Sequence, residues 1–227
     1  MDKGGTRSDR DYDGVIFDMD GVLVEPAERS LMEQAAIHAF ESCGVPDPRT
    51  EHVESIIFGT DPDTLNQLCT TIEVSQEVFW RTRDEHASEA QIRAVRNGGK
   101  PPYDDVEILA NLDCPLGVVS SNQQATVDFL LSHYELAAYF EVAYGRAPTL
   151  EDLHRKKPNP YFIEQAMADL GVSNPLFVGD RESDVLAARN ADVDAAFIRR
   201  PHCADVRMSI EPAHELHGLD QLVTLVG

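Results

Sequence analysis

The sequence VIFDMDGV at residues 15–22 decides how the rest of the chain is interpreted. Its first three residues are apolar, as in a strand buried on both faces of a parallel sheet. Asp18 and Asp20 follow, and Gly21 allows the chain to turn. Two carboxylates in this position form either a catalytic pair or an Asp-Gly turn with one extra surface acid. An EF-hand calcium loop is excluded, because its fifth position would be Val22.

Short apolar runs alternate with helix-like segments in the second half of the chain. The runs are at residues 116–119, 176–178 and 195–198, and the helix-like segments are at residues 104–111, 124–133, 161–170 and 183–191. This alternation predicts an α/β fold: a doubly wound, Rossmann-like parallel sheet with right-handed crossovers.

Residues 25–98 interrupt the alternation, because they contain no convincing strand. Their helical patterns cover residues 29–42, 51–58, 64–71 and 75–96, and the sequence GGKPP at residues 98–102 ends them. We expect an all-helical cap inserted over the carboxyl ends of the strands, where such sheets bind ligands. The predicted organisation is a flexible N-terminal tail at residues 1–12, a Rossmann-like core at residues 13–24 and 99–227, and a cap at residues 25–98.

The composition of the 227 residues restricts the partners. There are 40 acidic and 19 basic residues, for a formal net charge of −21. Such a surface repels nucleic acid and anionic membranes, so neither is expected as a partner. Neither a membrane-spanning apolar run nor a signal-peptide pattern is present, which predicts a cytoplasmic protein. The oligomeric state is left open between a monomer and a homodimer. The acid-rich, lysine-poor composition resembles that of proteins from salt-loving microbes, with an ordinary acidic protein as the alternative.

The cysteines and histidines give no sign of a zinc site. The four cysteines are far apart, without a CxxC pair, and the eight histidines have no ligand spacing. We therefore expect reduced, partly buried thiols.

Polar motifs stand at the predicted strand ends and before a helix. Because the carboxyl ends of parallel strands meet at one edge, we expect these motifs to converge. They offer carboxylates for a hard cation, and hydroxyl, amide and ammonium groups for an anion, which indicates a phosphate-handling site. The residues concerned are Asp18, Asp20, Ser120, Ser121, Asn122, Lys156, Lys157, Asp180 and Asp184.

The ordered motifs DMDGV, VVSSN, KKPNP and VGDRESD resemble the haloacid dehalogenase superfamily. The resemblance is to the branch that contains phosphoglycolate phosphatase and β-phosphoglucomutase, with a helical (C1-type) cap, and it covers all but residues 1–12. It implies a phosphoric monoester hydrolase that uses Mg²⁺ as cofactor and acts on a small phosphate ester, of the phosphoglycolate or sugar-phosphate class.

The resemblance implies catalytic roles for the first two motifs. Asp18 is the nucleophile that forms an aspartyl-phosphate. Asp20 is the general acid for the leaving oxygen and then the base for water, so no histidine is needed. Ser120, with Ser121 or Asn122, holds the transferred phosphoryl group.

The last two motifs supply charge, again by resemblance. Lys157 neutralises charge on the phosphoryl group and on Asp18. Asp180 binds Mg²⁺ with Asp18 and the backbone carbonyl of Asp20, and Asp184 supports the metal or the lysine.

Three alternatives remain open. A dehalogenase is disfavoured, because a halide needs no proton or metal, which leaves Asp20 and Asp180 idle. A β-phosphoglucomutase-like phosphomutase usually has an acidic residue before the metal-binding aspartate, whereas this chain has Gly179, which favours hydrolysis. A catalytically inactive binding protein would lack one or more of the catalytic residues, such as Asp18 or Lys157. All of these residues are present.

Residues of the cap determine which substrate binds, but their sequence does not identify that substrate. Residues 58–64 are either a specificity loop or the N-cap of a helix. We expect Trp80 to pack in the cap core, and Arg83, like the other arginines of its helix, to form solvated ion pairs. Lys156 and Arg155 are expected to be solvated neighbours of Lys157. Lys156 is the second candidate for the catalytic role assigned to Lys157.

Overall fold

The computed structural model describes residues 12–226, which contain a six-stranded parallel sheet with strand order β3-β2-β1-β4-β5-β6. The strands are β1 (Val15–Phe17), β2 (Leu116–Gln123), β3 (Val142–Arg146), β4 (Leu176–Gly179), β5 (Asp194–Ile198) and β6 (His214–Leu216). In the central strand, Phe17 pairs with Val118 of β2 and with Val178 of β4. The α/β fold class is confirmed.

The central strand is apolar because helices cover both of its faces. Val15 and Phe17 pack in the cluster that includes α5 (Gln124–His133), whereas Ile16 packs against α7 (Tyr161–Leu170) and α8 (Glu182–Asn190). All three side chains are fully buried. Full burial of each stabilises the fold by about 1.5–3 kcal/mol. The strand is therefore a fixed base for the residues that follow it.

A helical cap lies between β1 and β2, as expected. Its helices are α1 (Arg29–Ser42), α2 (Thr50–Ile57), α3 (Pro62–Ile72) and α4 (Gln76–Arg96). They enclose a separate apolar cluster in which the rings of Phe40 and Phe79 lie 4.9 Å apart. Leu153 of the short helix α6 (Leu150–Arg155) belongs to the same cluster and is 1% exposed. The cap thus packs on the core through α6, while its predicted limits at residues 25 and 98 stay a prediction.

The helix-like segment expected at residues 104–111 is a 3₁₀ helix. Other local expectations are wrong or incomplete. Strands β3 and β6 were not predicted, because β3 is half-buried over much of its length and β6 is three residues long. Tyr12, assigned to the flexible tail, is buried and donates a hydrogen bond to the Asp194 carboxylate at 2.9 Å. The rest of that tail lies outside the described residues.

The remaining helical segments of the described residues are short, and two of them lie between strands while the other two follow β6. They are α9 (Val223–Val226) and the 3₁₀ segments Ala137–Tyr139, Pro201–Cys203 and Leu219–Leu222. Within residues 12–226, no helix has the length and apolarity needed to cross a membrane.

Candidate active site

The fold brings the predicted site residues together at the carboxyl edge of the sheet. Asp18 follows β1, Ser120 lies in the second half of β2, directly after its apolar run, and Asp180 follows β4. The predicted residues that line one shared cavity are Asp18, Asp20, Ser120, Ser121, Asn122, Lys156, Lys157 and Asp184. Asp180 is not in the cavity wall, but its carboxylate lies within 4.8 Å of ligand atoms of Asp18 and Asp184.

Lys157 bridges two of the acids. Its Nζ lies 2.9 Å from Oδ1 of Asp18 and 2.7 Å from Oδ1 of Asp184. Burial alone would lower the pKa of Lys157, but the two carboxylates raise it above its usual value. Burial raises the pKa of Asp18 to about 6; Asp184 and Asp20 add to this, and Lys157 opposes it. The Asp18 carboxyl is therefore mostly ionised at neutral pH, although its pKa lies not far below that pH.

Asp184 contacts both the lysine and the backbone of the last motif. Its Oδ2 accepts hydrogen bonds from the N–H groups of Asp180, at 3.2 Å, and Arg181, at 3.0 Å. A Cβ at Gly179 would overlap the Asp184 side chain. The glycine of this motif is thus required by the packing of Asp184. Of the two roles expected for Asp184, the contact with the lysine is present.

Asp20 has a partner that the sequence analysis did not assign. Lys100 forms an ion pair with Oδ1 of Asp20, and the Asn122 amide donates to Oδ2 at 2.9 Å. Burial alone would raise the pKa of Asp20, but the Lys100 ammonium and these hydrogen bonds lower it. The buried Lys100 also donates to Oε1 of Gln91 at 2.8 Å, so a residue of cap helix α4 joins the group.

One sequence signal could have revealed Lys100. The chain has four lysines, and Lys100 stands alone in the GGKPP sequence at the end of the cap. A rare residue at the return from the cap was a candidate for the site beneath it. Gln91 gave no comparable signal.

The acidic residues fit a magnesium ion. Asp18, Asp180 and Asp184 each offer one oxygen within 4.8 Å of the others. The buried Oδ1 of Asp180 has no hydrogen-bond donor within residues 12–226. Gly21 has a φ of 84°, and a Cβ there would overlap the Asp180 carboxylate. Such an all-oxygen set, with a free and buried acceptor, is what Mg²⁺ prefers.

His202 reaches the same carboxylate, although no histidine was expected to take part. Its Nε2 lies 2.7 Å from Oδ2 of Asp180. Cys203 follows, and one ligand atom of each of these three residues lies within 4.8 Å of the others, a grouping that the sequence spacing did not indicate. The preceding Arg200 is buried and pairs with both oxygens of Asp105 at 2.8 Å. Residues 200–203 therefore pack against the site through both Arg200 and His202.

Two basic residues that were expected in solvent line the cavity instead. Arg83 is buried and donates to the Ile56 carbonyl at 2.9 Å and to Oδ1 of Asp84 at 2.9 Å. Lys156 is half-buried, and its Nζ donates to the carbonyl of Thr60. Both predictions failed for the same reason, which is that the cap packs over these side chains. Arg81, in contrast, is exposed, as expected.

The loop at residues 58–64 lines the cavity and also caps a helix, and its role in specificity stays a prediction. Phe58, Gly59 and Thr60 line the cavity. Asp61 caps helix α3 by accepting a hydrogen bond from the N–H of Thr64 at 2.9 Å.

The fold and the site together are those of a capped α/β hydrolase. The model of the haloacid dehalogenase-like hydrolase family matches residues 15–198, and the chain belongs to this family. Pyrophosphatase PpaX of Oceanobacillus iheyensis is 24% identical over 94% of this chain and 96% of its own length. Phosphoglycolate phosphatase of Escherichia coli K12 is 28% identical over 80% of this chain and 79% of its own length.

A solved structure shows the same fold. It is a haloacid dehalogenase superfamily hydrolase of subfamily IA from Geobacter sulfurreducens. Its TM-score is 0.59 at 20% identity, and the match covers 95% of this chain and 97% of that one.

Proposed function

We propose that this chain is a Mg²⁺-dependent phosphatase that hydrolyses a small organic phosphate monoester, of the phosphoglycolate or sugar-phosphate class, through an aspartyl-phosphate on Asp18. The observation that carries this proposal is the contact of Lys157 with Asp18 in a cavity that Asp20 and Ser120 also line. The names of the two curated relatives, a pyrophosphatase and a phosphoglycolate phosphatase, support it.

In the first step, a carboxylate oxygen of Asp18 attacks phosphorus. A P–O bond to Asp18 forms while the bond between phosphorus and the ester oxygen breaks, and Asp20, in the protonated form that this step requires, gives its proton to that oxygen. Lys157 reduces the negative charge that builds up around Asp18. The Ser120 hydroxyl accepts from the N–H of Asn122 at 3.1 Å, which leaves its own proton for a phosphoryl oxygen.

In the second step, water replaces Asp18. Asp20, now a carboxylate, takes a proton from the water as its oxygen attacks phosphorus. The bond from phosphorus to Asp18 breaks, which releases inorganic phosphate and restores the Asp18 carboxylate. The ion pair with Lys100 favours the ionised form of Asp20 that this step requires.

The residues proposed to hold Mg²⁺ are Asp18, Asp180 and the backbone carbonyl of Asp20, with Asp184 as a further candidate. When bound, Mg²⁺ would reduce the repulsion between the Asp18 carboxylate and a phosphate dianion.

The cavity size favours the smaller esters of the proposed class. Its volume is about 130 Å³. A protein cavity of roughly 150 Å³ holds a molecule the size of benzene. Phosphoglycolate is of that order, whereas a hexose phosphate is much larger. Together with Gly179 in place of an acidic residue, this favours hydrolysis of a small ester over sugar-phosphate mutation.

The test is phosphate release from a panel of small phosphate esters, with Mg²⁺ and with a chelator. We expect Mg²⁺-dependent release that Asp18→Asn abolishes while the circular dichroism spectrum is retained. The control is Asp47→Asn, which changes an exposed aspartate outside the cavity. Phosphate release that persists in Asp18→Asn would refute the assignment of Asp18 as the nucleophile. Conversion of β-glucose 1-phosphate without phosphate release would indicate a mutase.

A further inference from the structure

Part of the cavity wall carries more positive than negative charge. This part, the cationic wall, is formed by Trp80, Arg83, Arg146 and Lys156. The guanidinium groups of Arg146 and Arg83 lie 4.7 Å and 5.3 Å from the centre of the Trp80 ring. Asp84, which is buried, pairs with both arginines. In a chain with a net charge of −21, a local excess of cations is a specific feature.

The arginines of the cationic wall already have partners. Arg83 donates to Asp84 and to the carbonyls of Ile56 and Ile57. Arg146 donates to Asp84 and, at 2.9 Å, to the carbonyl of Ser121. Their guanidinium groups therefore stabilise the structure of the cationic wall and contribute positive charge to it.

Lys156 and Trp80 have hydrogen-bond donors that no acceptor among residues 12–226 satisfies. The Lys156 ammonium has three N–H donors and bonds one neutral acceptor, the Thr60 carbonyl. No carboxylate lies within ion-pair distance of it in the described part of the chain, since Asp61 and Asp84 act only from further away. The Trp80 side chain is 2% exposed, and its Nε1 has no acceptor among residues 12–226.

Burial lowers the pKa of Lys156 to about 8, and repulsion from Arg146 and Arg83 adds to the effect. A bound anion would offset both contributions. The transferred phosphoryl group already has Lys157 and Ser120, so the anion that Lys156 would bind belongs to another part of the ligand.

We propose that Lys156 and Trp80 form an anion subsite for the leaving group, so that the preferred substrate carries a second anionic group, a carboxylate or a second phosphoryl group. This inference rests on the proposed phosphatase function and narrows its substrate. A neutral alcohol as leaving group would give the ammonium and the indole N–H no anionic acceptor, and an unsatisfied donor is unfavourable where it is buried, as the indole N–H is.

The experiment compares leaving groups in the full-length enzyme with Mg²⁺ at constant ionic strength. The anionic substrates are phosphoglycolate and pyrophosphate, and the neutral-leaving substrates are ethyl phosphate and glycerol 1-phosphate. The variants are Lys156→Gln, which removes the charge, and Lys156→Arg, which keeps it. Arg155→Gln is the matched control, because it removes a charge from the adjacent residue, which does not line the cavity.

The readout is the ratio of kcat/KM for anionic over neutral leaving groups. We expect the wild-type ratio to exceed about 10 and to fall about 10-fold or more in Lys156→Gln, as for loss of a charged hydrogen bond. Lys156→Arg should restore most of the ratio, and Arg155→Gln should keep it. The two anionic substrates show which anion the subsite prefers. A wild-type ratio near one, or an equal loss for all esters in Lys156→Gln, would overturn the proposal.

A binding measurement separates this proposal from the proposed function. Calorimetric titration of Asp18→Asn with phosphoglycolate, with and without Lys156→Gln, needs no turnover. Tighter binding of phosphoglycolate than of ethyl phosphate, lost in the double variant, supports the subsite even if no ester is hydrolysed. Equal binding of both rejects it. Thermal melts check that each variant folds, and if Lys156→Gln does not fold, Lys156→Met replaces it.

Discussion

Nζ of Lys157 lies 2.9 Å from Oδ1 of Asp18, and both groups are more than nine-tenths buried. The same ammonium holds Asp184 at 2.7 Å. One cation thus compensates two buried carboxylates, and its removal leaves both without their counter-charge.

We expect Lys157→Gln to abolish phosphatase activity and to lower the free energy of unfolding by about 3–5 kcal/mol, because it leaves buried charges uncompensated. Urea denaturation followed by circular dichroism measures the change. Arg189→Gln, at an exposed position, is the control and should change stability by less than about 0.5 kcal/mol. A similarly small change in Lys157→Gln would mean that the two carboxylates do not depend on this cation for compensation.

Asp18→Asn should stabilise the metal-free protein near neutral pH. Burial raises the pKa of Asp18 to about 6, from an ordinary value of 3.8, so the folded state binds the proton more tightly than the unfolded state. The stability of the wild type therefore falls as the pH rises through about 6, whereas that of the variant does not. A shift of two units corresponds to about 3 kcal/mol as an upper value.

Thermal melts in a chelator, at about pH 5 and about pH 7.5, test this. The gain from Asp18→Asn should be larger at the higher pH. An equal gain at both values would show that the carboxylate does not titrate between them.

Lys100→Met should change the pH dependence of turnover. Without the ammonium, the pKa of Asp20 rises, so a higher pH is needed to ionise it as the base of the second step. We expect the acidic limb of the kcat profile to move to higher pH and kcat near neutrality to fall about 10- to 100-fold. Lys100→Arg should retain most of the profile. A uniform loss at all pH values would point to a structural role for the lysine.

His202→Ala should weaken Mg²⁺ binding. His202 holds Oδ2 of Asp180 at 2.7 Å and so orients a proposed ligand. Loss of such an orienting contact typically weakens metal affinity about 10-fold or more. Isothermal titration with Mg²⁺ measures the Kd directly, without substrate. Tighter binding in the variant would show that the imidazole competes with the metal for Asp180.

Salt should stabilise the protein. The excess of acidic residues creates a repulsion that ions screen over about 10 Å at 0.1 M and about 3 Å at 1 M. We expect Tm to rise between about 0.1 M and about 2 M KCl. A flat response would reject the assignment of the composition to a high-salt cytoplasm.

Most of the site could be predicted because its residues follow strands that lie side by side. Asp18, Ser120 and Asp180 each stand at or just beyond the end of an apolar run, and a parallel sheet brings such ends to one edge. The sheet edges were harder to predict: β3 is half-buried and β6 is short, so neither has a continuous apolar pattern.

The failures concern contacts between residues that are distant in sequence, some of which form only when the cap packs on the core. Arg83 and Lys156 have the local sequence of solvated residues, and they are covered by parts of the chain that are distant in sequence. The pairing of Lys100 with Asp20 joins the two ends of the cap, and the contact of His202 with Asp180 spans 22 residues. A local sequence pattern does not indicate contacts between residues that are so far apart in the chain.

Leu153 joins the core to the apolar cluster of the cap, where it is 1% exposed. Lifting the cap would expose this side chain to water, at a cost of about 1.5–3 kcal/mol. From this contact alone, the open form would make up roughly 1–10% of the molecules. Entry of substrate and escape of phosphate would then depend on a minor population to which this leucine contributes, beside polar contacts such as Arg146 with Asp84 and Lys100 with Gln91. The speed of the enzyme could thus be tuned at a position that carries no charge and touches no reactant.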